Sequence, residues 1–196
     1  MLCEKHNHDL SQLDEEAGRL IETIGLYDRG FNQKNPRPET TAIRGCLIER
    51  WMLKTTCGMV AAGYLAQGGV RLEVEIPAIW VSILTEAAQW PNDWGLYVAV
   101  PTDSLYHSSS FSLLPMSHPT TGDIVSVVMT LNGVMLSLLL GRIDNPSTLG
   151  TYRPKELVFE QRGIEKVVEI SWPYPTLNHQ IRFTRIGTYE GPPPRY

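Results

Sequence analysis

Cys3, His6 and His8 crowd the first eight residues, with Asn7 between the two imidazoles. A thiolate and an imidazole spaced Cys-x2-His leave one turn side by side, which is half of a zinc site. A structural zinc takes four such ligands. The other Cys and His residues, Cys46, Cys57, His107, His118 and His179, stand alone in the sequence. Cys46 and Cys57 fall in one helical stretch, about 16 Å apart by helical rise, which is too far to share an ion. Cys3, His6 and His8 are therefore candidate metal ligands with zinc as the implied ion. The competing reading is a polar leader ahead of a helix.

A second set is basic. Arg50 and Lys54 stand one helical turn apart, with Arg44 further back. Against a partner they would meet carboxylates or phosphates; otherwise they form a solvated helix face. Arg153 sits in Tyr152-Arg153-Pro154, where the proline restricts the backbone before a strand and aims the guanidinium. Arg50, Lys54 and Arg153 are the candidate binding residues. Trp80, Trp90, Trp94 and Trp172 could line a groove beside Arg153 or belong to core and rim. Arg182 and Arg185 fall on opposite faces of a regular strand and make no single patch. The serines of HSSSFS need a neighbouring base before one becomes a nucleophile. Nucleophile elbow, P-loop, Rossmann fingerprint and H-E-x-x-H are all missing from the sequence.

The elements that must hold these groups divide the chain. Residues 1–67 read as helical, residues 70–190 as mainly strand, and 191–196 as a Pro-rich tail. Leu13, Ala17, Leu20, Ile21 and Ile24 make one helical face. Ser11 is the expected cap, Asp14-Glu15-Glu16 suit the positive helix end, and Gly25 is the expected stop. A long helix is expected from Glu39 to about Gln67, its nearly apolar second half buried and its small residues, Gly58 among them, admitting a close neighbour. IPAIWVSIL reads as a short helix and GLYVAVP as a strand.

In IVSVVMTLNGVMLSLLL, Asn132-Gly133 predicts a two-residue type I′ turn. Pairing Leu131 with Val134 then puts Val127, Met129, Leu136 and Leu138 on one apolar face. A second hairpin is expected around Arg162-Gly163, with Leu157 and Phe159 facing Val168, Ile170 and Trp172, and NHQIRFTRI as a last strand. The fold class that follows is α+β: N-terminal helices packed on an antiparallel β-sheet, in a single domain over 1–190.

At 196 residues, 42% hydrophobic and 19% charged, the chain can bury a core. Its net charge of -4, from 21 acidic and 17 basic residues, disfavours a dedicated nucleic-acid binder, whose affinity rests on phosphate neutralisation. Three widely spaced cysteines are no disulfide framework and fit a reducing compartment. No basic leader precedes an apolar run, and CGMVAAGYLA is too short for a membrane span, so a cytoplasmic protein is expected.

LCEKHNHDLSQLDEEAG resembles the closing part of HNH-type treble-clef proteins, where a Cys-x2-Cys/His-Asn unit runs into a helix with an acidic first turn. Cys3 and His6 match the downstream ligand pair and Asn7 the Asn after it. The resemblance implies an upstream Cys-x2-Cys knuckle and a hairpin bearing the His that activates water; neither precedes Cys3 here. LIERWMLK and YRPKELVF…ISW also resemble stretches of a bacterial protein type, a pattern that implies no particular activity. Three functions follow as expectations. The first is a non-enzymatic interaction protein acting on a protein partner. The second is an HNH-like, metal-dependent nuclease whose knuckle comes from elsewhere. The third is a protein that sequesters a small molecule or nucleotide.

Overall fold

The first helix is built by one stripe. In the computed structural model, which describes residues 10–64, 66–67, 70–71, 75–99, 111–173, 176 and 179–184, α1 spans Ser11–Phe31. Leu13, Ala17, Leu20, Ile24, Tyr27 and Phe31 recur at helical spacing and are all buried. Gly25 does not stop it. A mid-helix glycine costs about 1 kcal/mol, and the rings of Tyr27 and Phe31 offset that by extending the stripe into the core. Ser11 is the first helical residue rather than the cap; Leu10 holds that position and makes no side-chain cap bond.

The long helix expected from Glu39 begins later. Residues Glu39–Arg44 form a strand, β1, and α2 runs Gly45–Ala62. Thr40, Thr41 and Ile43 are β-branched and suit a pleated strand. The deciding contact is distant: β1 lies parallel to β10 (Ile164–Ser171), from Glu39 opposite Lys166 to Arg44 opposite Ser171. At the junction, the buried Glu16 carboxylate accepts the Arg44 N–H at 2.6 Å, meeting the positive start of α2. Gly45 must lack a side chain, because a Cβ there would sit 2.5 Å from the Trp172 ring. α2 ends at Gly63, with φ +66°.

Only the first part of α2 is buried, through Leu47, Ile48, Glu49, Met52, Leu53 and Thr56. Gly58, Ala61 and Ala62 are exposed, and nothing lies within 4 Å of a Cβ placed on Gly58. The expected burial of the second half is thus corrected: small apolar residues there face outward, because the core is filled by the aliphatic side chains one to two turns earlier.

The strands form a five-stranded antiparallel sheet, a four-stranded mixed sheet and a short pair, β2 (Ala66–Gln67) with β3 (Val70–Arg71). The five-stranded sheet has the order β5 (Phe111–Ser117), β6 (Ile124–Leu131), β7 (Val134–Leu139), β4 (Gly95–Val98), β8 (Thr151–Tyr152). Its central hairpin has the expected register: Leu131 pairs with Val134, Met129 with Leu136 and Val127 with Leu138, around Asn132 at φ +48° and Gly133 at φ +84°. Those six side chains are buried. The four-stranded sheet has the order β1, β10, β9 (Glu156–Gln161), β11 (Gln180–Thr184). Its hairpin turns at Arg162-Gly163, both at positive φ, and Leu157 meets Val168. On β10 the residue opposite Phe159 is Lys166 rather than an apolar one, and the Phe159 ring stacks on Phe183 of the next strand, 5.1 Å between centroids.

One core joins α1, α2, α3 (Ala78–Leu84) and the inner faces of both larger sheets, so the fold is α+β with its helices N-terminal. Among the described residues no helix is long and apolar enough to cross a membrane.

Candidate functional site

Glu49 stands on the buried stripe of α2, beside Ile48 and Met52, and is 0% exposed. A carboxylate taken out of water there must be paired and hydrogen-bonded. Arg153 does both. Its Nε donates to Glu49 Oε1 at 2.7 Å and its Nη2 to Oε2 at 3.1 Å, while the Leu96 N–H donates to Oε1 at 2.8 Å. Burial pushes the Glu49 carboxyl up, and the Arg153 guanidinium pulls against that shift.

The backbone is shaped to allow the pair. Gly95 has φ +126°, and a Cβ on it would lie 2.5 Å from Glu49 Oε1 and 2.9 Å from Arg153 Nη2. Arg153 itself has φ +43°, a conformation L residues rarely adopt. Its N–H donates to Leu96 O at 2.9 Å. The guanidinium lies over the Tyr152 ring at 4.8 Å and the Trp172 ring at 5.6 Å, and Trp172 Nε1 donates to Pro154 O. Five segments therefore meet at one ion pair: α2, β4, β8, Pro154 and the end of β10.

On the other side of Arg153 a cleft of about 570 Å³ opens, lined in part by Asp93, Tyr97, Asn145, Thr151 and Tyr152. The Tyr97 and Tyr152 rings sit 4.9 Å apart, and their hydroxyls donate to Asp93 O and Trp94 O. Burial pushes the Tyr97 hydroxyl up to about 12.

Of the residues singled out from sequence, Arg153 is the one on this cleft. Arg50 donates to Leu84 O at 2.7 Å and to Glu86, tying α2 to α3. Lys54 donates to Asp14 at 2.6 Å, tying α2 to α1. Cys3, His6 and His8 lie outside the described residues, as do Asn7, His107 and Arg185. Among the described residues no group of three or more His, Cys, Asp or Glu could hold a metal. Trp80 and Trp94 line a different cleft, of about 670 Å³, together with Glu75, Asp123 and Asp144.

Comparison with family models, curated proteins and solved structures finds no match. The site is therefore read from its own chemistry.

Two features escaped the sequence reading. Glu49 carried a signal, as a carboxylate among Ile48, Met52 and Leu53 on one apolar face. The other is the outer face of the five-stranded sheet. Leu114 (62% exposed) and Met116 (42%) alternate with half-buried neighbours and Met135 (44%) with buried ones, and all three point away from the core. β5 was not read as a strand, because FSLLPMS does not alternate apolar with polar residues.

Proposed function

We propose that this chain is a non-enzymatic interaction protein that holds a protein partner against the outer face of its five-stranded sheet. The observation that carries the reading is the grouping of Leu114, Met116 and Met135 on that face, with half-buried Val128 between their strands. Large apolar side chains exposed together mark contact surfaces, and methionines adapt their shape to what they touch. β5 pairs with β6 alone among the described strands, but Pro115 within it lacks an N–H and blunts edge pairing. The face, rather than the edge, is then the contact. A net charge of -4 favours protein over nucleic acid as the partner. Cys46 and Cys57, both free thiols, support a reducing, cytoplasmic setting.

Photocrosslinking residues placed at positions 114 and 135 test the reading, with position 162 in the far hairpin turn as the control. The same heterologous protein should be captured from cells at both sheet positions and not at the control. Leu114→Asp should abolish its binding to the purified chain without lowering the melting temperature. Capture no greater than at the control overturns the reading. So does stoichiometric zinc in the purified protein, accompanied by DNA cleavage, which is the outcome an HNH-like nuclease gives.

A further inference from the structure

The cleft beside Arg153 has donors and acceptors that the fold leaves uncommitted. Asp93 is exposed, and among the described residues its carboxylate takes part in no ion pair. Thr151 is half-buried, and among the described residues no hydrogen bond holds its hydroxyl. Thr176 lines the same cleft, and among the described residues its buried Oγ1 has no partner. A buried hydroxyl left unbonded costs free energy, so a ligand that bonds it gains what the free chain lacks.

Charge and shape then narrow the ligand. Arg153 lends no net charge, because Glu49 cancels it from beneath. Asp93 is the one carboxylate among the described lining residues. Hydroxyls with one carboxylate, from Asp93, and one imidazole, from His179, suit a neutral molecule whose groups both donate and accept, which is the property of an alcohol hydroxyl. Tyr152 adds carbon surface for the C–H groups of a ring. The wall is also rigid: a Cβ on Gly150 would lie 2.2 Å from Val98 O, so this loop is pressed against β4. A preformed wall lowers the ordering cost of binding. The volume, about 570 Å³, falls within the range of small-molecule sites.

From these we infer that the cleft bounded by β8, the 145–150 segment before it and Asp93 is a binding site for a sugar, a neutral polyhydroxylated ring held by Asp93, Thr151 and Thr176. Tyr97 and Tyr152 stand in one cross-strand row with Ser137, Val128 and Leu114, so the cleft is on the same face of the sheet as the partner surface, at the opposite end of the strand order.

The test is an amide NMR titration of the whole chain with free glucose, galactose, mannose and N-acetylglucosamine, each to about 100 mM, since shallow hydroxyl-lined sites bind in the millimolar range. At least one sugar should give saturable shifts at Asp93, Thr151 and Tyr152. Two variants keep the fold intact while removing the contacts. Asp93→Gly suits the φ of +66° at that position, and Thr151→Val keeps the shape. Each should weaken binding about tenfold, the loss of one good hydrogen bond. Leu26→Ala, on the exposed side of α1, should leave the titration unchanged. Shifts that never saturate, shifts confined to other residues, or full binding by Asp93→Gly overturn the proposal.

Discussion

Arg153 covers both carboxylate oxygens of Glu49, from Nε at 2.7 Å and Nη2 at 3.1 Å, with neither residue more than 7% exposed. Breaking such a pair from one side strands a buried charge. Arg153→Met should therefore cost about 3–5 kcal/mol, whereas Glu49→Leu combined with Arg153→Met should recover most of that loss. Urea unfolding of the three variants checks it. In Arg153→Met the lone carboxyl is held further above its unfolded value, so the folded chain binds the proton first. Its stability should rise as pH falls through the folded pKa and level off below the unfolded one.

Two glycines should respond in opposite directions. Gly95→Ala forces a Cβ against the Glu49–Arg153 pair at φ +126° and should cost about 2 kcal/mol or more. Gly58→Ala, in the exposed part of α2 with nothing within 4 Å, should stabilise by about 0.5–1 kcal/mol. Thermal melts of both variants measure the contrast. Equal effects would mean that the joint yields to accommodate a methyl group.

Lys166 is 1% exposed, with its Nζ 2.8 Å from Glu39 Oε1 and over the rings of Tyr27 and Phe31. The pair is lopsided, because the Glu39 side chain is 49% exposed. Glu39→Ala leaves an ammonium buried without its counter-charge and should cost about 3 kcal/mol. Lys166→Met keeps the packing and leaves Glu39 to water, so stability should stay within about 1 kcal/mol of the parent. Denaturant midpoints at neutral pH read both.

Tyr97 should be the marker of alkaline unfolding. Its hydroxyl is pushed up to about 12 from an ordinary 10.0. Between those values the unfolded chain has lost the proton and the folded chain keeps it, so stability falls as pH rises. Below pH 10 the contribution is complete. Tyr97→Phe should remove this part of the alkaline slope and one late-titrating tyrosine from the tyrosinate absorbance.

What the sequence by itself determined is local. The hairpin at Asn132-Gly133 follows from turn chemistry that demands positive φ at two adjacent residues, and alternation then set its register. The stripe of α1 and the hairpin at Arg162-Gly163 were legible for the same reason: all the information lies within one or two turns of chain. The α+β class follows from where those patterns change period.

Tertiary structure decided the rest. Residues Glu39–Arg44 become a strand because β10, more than a hundred positions later, offers an open parallel edge. Arg153 was visible as an aimed guanidinium, but its target, 104 residues away in sequence, was not. Arg50 and Lys54 looked free on a helix face, and α3 and α1 supply their acceptors. Periodicity records which face of an element is apolar; it holds no record of which distant segment that face will meet. Buried ion pairs depend on that meeting, because a charge can be desolvated only where its partner arrives with it.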